Sequence, residues 1–208
     1  MFINDTCLQF TELLASTDAV PGGGGAAALC GALGASLCSM AAGLTSGKKK
    51  FSEYKDELEE IIAKCNGLRK EFLRLIDADA EGFAPLAAAY SLPKDTPGYG
   101  EKMRSATLTA MGAPFEMMRC CCAALELIER LCDGRCSALL ISDAGCAAAL
   151  CRAALQCAAM NVFVNTKMLR GDGESDAIEA EAKAMLEKYL PLAEALSGDV
   201  IKKLCEVK

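Results

Sequence analysis

The stretch from residue 23 to residue 46 constrains the fold most, because no charged residue interrupts it. Glycines open it and Lys48, Lys49 and Lys50 follow it, where cations suit the C-terminal dipole of a helix without any ligand. Small residues occupy every fourth position: Ala27, Gly31, Ala35, Ser39 and Gly43. Such a row gives a helix a smooth face that another helix can approach closely. The stretch therefore predicts a central helix, packed on all sides or against a second subunit.

Two other interpretations of this stretch are weaker. Its length suits a membrane span, but Ala, Gly, Ser and Thr dominate it, and their transfer into lipid is weakly favourable at best. A phosphate-binding loop needs the pattern GxxxxGK followed by Ser or Thr, placed after a strand. Here Ala42 replaces the first glycine and Lys49 replaces the hydroxyl residue. We therefore expect neither a membrane partner nor a nucleotide site.

Apolar residues at intervals of three and four predict helices nearly throughout, and strand-like alternation is not convincing anywhere. Ser52 is expected to cap the longest helix, and Pro85 to kink it. The predicted helices cover residues 5–15, 25–44, 52–90, 100–131, 143–169 and 175–207. The fold class is therefore all-α, with residues 1–208 forming one domain, a bundle of long helices around the small-residue helix.

Composition excludes several functions. The net charge of −6 argues against nucleic acid as a partner, since phosphate binding needs clustered positive charge. The 13 cysteines include no CxxC pair, and the chain has no histidine, so no metal site is expected. No secretory signal pattern opens the chain. We expect a cytoplasmic protein whose cysteines serve as small buried hydrophobic residues.

Without histidine, proton transfer near neutral pH falls to a carboxylate, lysine, tyrosine or thiol with a shifted pKa. Asp79 is the leading candidate, because it interrupts an apolar stripe made of Leu68, Phe72, Ile76, Phe83 and Leu86. Its neighbours Asp77 and Glu81 project elsewhere and are predicted to be solvated. Asp79 is either a structural carboxylate, satisfied by a lysine or by helix N-terminal amides, or a general acid or base in a cleft.

Other polar residues also lack an obvious partner. Asp143, in the segment ISDAG, stands where a helix begins and is interpreted as an N-cap, with Ser142 as competitor, or as a functional carboxylate. Asn161 and Asn165 lie four residues apart on one apolar helix face. Their amides need partners, either across the core or on a hydrogen-bonding ligand.

Four segments together resemble the cyclodeaminase/cyclohydrolase family. They are PGGGGAAALCGALGASLCSMAAGLTSGKKK, LIDADAEGF followed by LPKDT, ISDAG, and NVFVN, in an order that spans essentially the whole chain. The family includes the formimidoyltetrahydrofolate cyclodeaminase domain of formiminotransferase-cyclodeaminase and stand-alone methenyltetrahydrofolate cyclohydrolases. The resemblance implies an all-helical homodimer whose substrate is a tetrahydrofolate carrying a one-carbon group, with no further cofactor. Many members have a serine where this chain has Gly25.

The chain shows no formiminotransferase domain, which favours a stand-alone cyclohydrolase. A cyclodeaminase and a non-catalytic folate-binding subunit are the alternatives. With this resemblance we expect Asp79 and Asp143 to supply the acid–base chemistry and Asn161 and Asn165 to hold the amide edge of the pterin. The groups expected to meet the carboxylates of the glutamate tail are the backbone amides of Gly23, Gly24 and Gly25 and the side chains of Lys48, Lys49, Lys50 and Lys94.

Overall fold

The fold, seen in a computed structural model that describes residues 1–206, is built from six α-helices, and no strand occurs in that range. The helices are α1 (Cys7–Leu14), α2 (Gly23–Ser46), α3 (Lys55–Tyr90), α4 (Tyr99–Cys132), α5 (Ile141–Thr166) and α6 (Gly173–Cys205). Short 3-10 turns cover Phe2–Asn4, Lys49–Tyr54 and Lys167–Leu169. The all-α prediction is confirmed, while the expected end of the last helix at residue 207 lies outside the described residues.

Helices α2 to α5 form a four-helix bundle. α2 packs between α3 and α5, and α4 packs against the same two helices from the opposite side. α6 covers the outside of α5 and α4, while the turn at Phe2–Asn4 lies on α3. α3 runs antiparallel to α2, so Gly31 meets Phe72 and Gly43 lies near Ile62. The core fills the space among the four central helices.

The small residues of α2 allow this close packing inside the chain. A Cβ atom at Gly31 would lie 2.5 Å from a ring carbon of Phe72, and one at Gly34 would lie 2.6 Å from Sγ of Cys151. Ala27 and Ala35 are likewise buried. Part of the small-residue face is therefore occupied by α3 within the chain, while Gly43 at its far end is exposed.

α2 is nevertheless not enclosed on all sides. Leu33, Met40 and Leu44 are exposed along its outer face. α2 and the stretch Ile141–Leu169 are both long and apolar enough to cross a membrane by length and composition alone, with 50% and 44% of their apolar windows buried in the bundle. An open apolar face of this length needs an explanation.

Three local expectations were wrong. Ser52 does not cap α3, because it lies inside the 3-10 turn at Lys49–Tyr54 and Tyr54 is the N-cap. Asp143 is not an N-cap either: α5 begins at Ile141 with Leu140 as its N-cap, which places Asp143 in the first helical turn. α2 begins at Gly23, two residues before the predicted start. Helix α3 continues through Pro85 to Tyr90 as one element.

The cysteines follow the prediction only in part. All 13 are free thiols. Six of them are buried: Cys38, Cys65, Cys120, Cys121, Cys122 and Cys151. Cys7, Cys146, Cys157 and Cys205 are exposed, against expectation. Within residues 1–206, no group of histidine, cysteine or acidic side chains has an arrangement that can hold a metal ion.

The contact between Gly31 and Phe72 gives a stability test. Gly31→Ala places a methyl group against the buried ring, so we expect it to lower the free energy of unfolding by about 1–3 kcal/mol. Gly43→Ala is the matched control in the same helix, since its Cβ would meet Ile62 at an ordinary 3.9 Å, and it should be neutral or stabilising by up to about 1 kcal/mol. Urea denaturation measures both variants. Equal effects would show that the α2–α3 approach does not limit stability.

Candidate active site

At one end of the bundle, α3 and α5 both extend past the N-terminus of α2. Beyond this terminus α3 continues from Asp79 to Tyr90, about 16 Å along the helix axis. On the other side of α2, α5 continues past Asn161. We call the region between these two helix ends, beyond Gly23, the terminal groove. Leu86 and Ala89 of α3 pack on Ala106 and Ala110 of α4 beneath it.

The far end of the terminal groove is marked by a contact between its two walls. The hydroxyl of Tyr90, at the end of α3, donates to the sulfur of Met168 in the turn after α5, at 3.3 Å. Lys94 lies in the exposed loop that follows Tyr90. The groove therefore has a polar inner end at Asp79 and an outer end bordered by an aromatic side chain and a cation.

Asp79 stands at the inner end, against the first turn of α2. Its carboxylate occupies the place where a side chain of Gly24 would be. Burial raises the pKa of Asp79 to about 6, and the backbone N–H of Gly25 opposes this shift. Of the two structural partners expected for this carboxylate, no lysine contributes among the described residues, whereas a helix N-terminal amide, that of Gly25, does. A half-buried carboxyl group with this pKa exchanges a proton readily near neutral pH.

The start of α2 supplies unpaired donors beside this carboxylate. The first N–H bonded within the helix is that of Ala26, which donates to the carbonyl of Gly22 at 3.1 Å. The N–H groups of Gly23, Gly24 and Gly25 therefore have no partner inside the helix, and the N-cap Gly22 offers no side chain. These donors and the positive end of the helix dipole favour the ionised form of Asp79, against the cost of burial.

Asn161 and Asn165 border the same end of the groove. A Cβ atom on Gly23 would lie 3.3 Å from Nδ2 of Asn161. The Nδ2 groups of Asn161 and Asn165 donate to the carbonyls of Cys157 and Asn161, at 2.8 and 2.9 Å. Each side chain thereby keeps an oxygen that accepts no hydrogen bond from the described residues. This leaves two acceptors for N–H groups of a ligand.

The remaining predicted site residues lie at the opposite end of the bundle. Asp143 precedes Asn161 by five turns of α5, a distance of about 27 Å. Near it, the ammonium group of Lys48 donates to Oγ of Ser137 at 2.5 Å. Lys49 and Lys50 are exposed. Within one chain, the structure brings Asp79, Asn161, Asn165 and the glycines together and separates them from Asp143 and the lysine run.

Sequence reasoning missed one buried carboxylate in this region. Asp77 was predicted to be solvated, but it is only 9% exposed, and its Oδ1 accepts the N–H of Phe2 at 2.6 Å. The prediction failed because the partner is a backbone amide 75 residues away in the chain, which leaves no pattern in the sequence. The contact between Tyr90 and Met168 was missed for the same reason.

Comparison with known proteins identifies the class. The family model of formiminotransferase-cyclodeaminase matches residues 6–184, so the chain belongs to this family. The resemblance found in the sequence is thereby confirmed.

Individual relatives refine this result. A methenyltetrahydrofolate cyclohydrolase from Methylorubrum extorquens is 38% identical over 93% of this chain and 93% of its own. The mouse formimidoyltransferase-cyclodeaminase is 27% identical over 94% of this chain, but the match covers 37% of the mouse protein. The crystal structure of formiminotetrahydrofolate cyclodeaminase from Thermotoga maritima shares the fold, with a TM-score of 0.83 and 23% identity over 95% of this chain and 98% of that one.

The contact between Gly24 and Asp79 gives a test of the site. Gly24→Ala forces the carboxylate away from the helix terminus, so we expect kcat to fall by about 10²-fold while the fold is kept. Gly67→Ala in α3, where the space beside the glycine is open, is the control and should leave turnover unchanged. Steady-state kinetics and circular dichroism check both variants. Full activity of Gly24→Ala would contradict the placement of Asp79.

Proposed function

We propose that this protein is a methenyltetrahydrofolate cyclohydrolase, which converts 5,10-methenyltetrahydrofolate and water into 10-formyltetrahydrofolate. The observation that carries the proposal is the Asp79 carboxylate, half-buried against the start of α2 with a pKa of about 6. The full-length match to the Methylorubrum relative supports this reaction over the alternative. Tetrahydrofolate is the substrate in this proposal, and no further cofactor is invoked.

In the proposed mechanism, Asp79 moves one proton. Water adds to the amidinium carbon, and the ionised carboxylate of Asp79 takes a proton from it as the C–O bond forms. The bond from this carbon to N5 then breaks, and the protonated Asp79 returns the proton to N5. The second proton of the water leaves to solvent as the formyl C=O forms. A pKa near 6 suits both halves of this transfer.

The neighbouring groups orient the substrate in this proposal. The free oxygens of Asn161 and Asn165 accept N–H groups from the amide edge of the pterin. Of the N–H groups at the start of α2, that of Gly25 acts on Asp79, so in this proposal the terminus serves the reacting carboxylate and not a distant carboxylate of the substrate. Lys94, beyond the outer end of the groove, meets the glutamate tail.

The second candidate reaction is that of a formimidoyltetrahydrofolate cyclodeaminase. In it N10 attacks the formimidoyl carbon, and ammonia leaves after a proton is delivered to it. The names of the mouse and Thermotoga relatives favour this candidate. The same carboxylate supplies the proton, so the geometry of Asp79 suits both reactions and substrate assays separate them.

We also propose that the active protein is a homodimer. α2 and α5 lie side by side and present an uncharged outer surface with exposed side chains at Leu33, Met40, Leu44, Met160 and Val164. A second copy is the occupant that suits this surface, because a two-fold axis matches it to itself. With a two-fold axis perpendicular to α2, the two copies of α2 lie antiparallel. The lysine end of one α2 then lies beside the Asp79 end of the other. Asp143 and Lys48–Lys50 of the partner subunit then approach Asp79, which unites residues that one chain keeps apart.

The reaction is tested by following the ultraviolet absorbance of methenyltetrahydrofolate, with each of the two substrates in turn. If Asp79 acts as the base in its ionised form, kcat/KM rises with pH through about 6 and then levels off. Asp79→Asn should lower kcat by about 10²- to 10⁴-fold, with the exposed Glu81→Gln as control.

The stability of the folded protein should fall over the pH range in which kcat/KM rises. The folded-state pKa of Asp79 is raised, so the folded protein loses stability as pH rises from about 4 to about 6. Asp79→Asn is therefore expected to be more stable above pH 6, by at most about 3 kcal/mol. Full turnover of either substrate by a folded Asp79→Asn protein would refute the assignment.

The composite site is tested by mixing two defective chains. Asp79→Asn and Asp143→Asn should each be inactive alone, but co-expressed mixed dimers contain one intact site and should regain activity. Light scattering establishes the oligomer. A monomer would disprove the dimer, and mixed dimers without activity would disprove the contribution of Asp143.

A further inference from the structure

Asp77 carries a polar atom that the proposed reaction does not use. Its side chain is 9% exposed, and Oδ2 has no hydrogen-bond partner among the described residues. Its only bond is the short contact from the N–H of Phe2 to Oδ1, at 2.6 Å. One turn away on α3, Arg74 is held by Glu71 in a bidentate pair, and Glu81 is exposed. A buried carboxylate with one partner costs stability, so an apolar residue would suit the position better if packing were its only role.

The hydrogen bond from the N–H of Phe2 fixes one end of the segment before α2, and the other end of this segment lies next to the candidate active site. We call residues 2–21 the N-terminal strap. It starts at Asp77, two residues before Asp79 on α3, and leads directly into α2. In between, Phe10 of α1 is 5% exposed. The strap therefore begins and ends at the same turn of α3.

The strap also packs on the glycine whose amide faces the reactive carboxylate. A Cβ atom on Gly25 would lie 3.2 Å from Cβ of Pro21 and 3.9 Å from both the Phe10 ring and Ile76. The position of Gly25 thus depends on the strap on one side and on α3 on the other. A loosened strap leaves the start of α2 free to move away from Asp79.

We propose that Asp77 is a positioning residue: by holding the N–H of Phe2 it anchors the N-terminal strap, which keeps the first turn of α2 against Asp79. The inference rests on the role given to Asp79 under the proposed function. On this inference, the first residues of the chain contribute to the reaction without touching the substrate. The lone hydrogen bond of Asp77 explains why a carboxylate, the strongest acceptor for a backbone amide, is buried there.

The test compares three changes. Asp77→Ala removes the acceptor, and a chain lacking residues 2–4 removes the donor without altering α3. Each is expected to lower kcat/KM by about tenfold or more and to move the acid limb of the pH profile upward, because the Gly25 N–H that lowers the pKa of Asp79 is displaced. Asp77→Asn keeps an acceptor oxygen and should restore most of the activity. Glu81→Ala, exposed one turn away, is the control.

Two further measurements make the result decisive. Combining Asp77→Ala with the deletion should cost no more than either alone, since both break one bond. Hydrogen exchange should speed up in residues 6–14 in both variants. Additive losses, or an unshifted pH profile in the deletion variant, would overturn the proposal, even if Asp77→Ala fails to fold. Failure of the proposed function is distinguishable, because it shows as full turnover by Asp79→Asn.

Discussion

The close approach of α3 to the first turn of α2 is the constraint on which the site depends. Asp79 reaches the unpaired amides of that turn because Gly24 has no side chain. Two turns further along α2, Gly31 also has no side chain, which lets the ring of Phe72 pack against it. Small residues of α2 thus set both the spacing of the core and the environment of the Asp79 carboxylate. Burial raises the pKa of this carboxyl group above its ordinary value, and the Gly25 N–H at the helix terminus opposes the shift.

Much of the fold could be predicted because its signals are local. Helix periodicity, the uncharged central stretch and the interruption of an apolar stripe by Asp79 are all visible within a few turns of chain. The candidate site was predicted in part, since the grouping of Asp79 with Asn161 needs the antiparallel packing of α2 against both α3 and α5. Asp77 is buried but was predicted to be solvated, because no local pattern indicates its hydrogen bond with the backbone N–H of Phe2.

The predicted site residues at the two ends of the bundle carry different chemical groups. The end at Gly23 holds a carboxylate, two amides and free backbone N–H groups, whereas the end at Ser46 holds Lys48 and Asp143. Sequence patterns place residues along a chain but not across a symmetry axis, so they cannot tell whether two such ends form one site. The exposed row from Leu33 to Leu44, which joins the two ends, is the physical reason to consider them together.

The unbroken course of α3 has a consequence for selectivity. The same helix carries Phe72 in the core, Asp79 against the start of α2 and Tyr90 at its outer end. Its inner part is clamped by α2 and α4, so any shift of Asp79 would require the core to repack. The part near Tyr90 extends beyond α2 and is half exposed. In the proposed reaction, a helix held in this way fixes the carboxylate that acts on the substrate and leaves the length of a group extending past Tyr90 unrestricted.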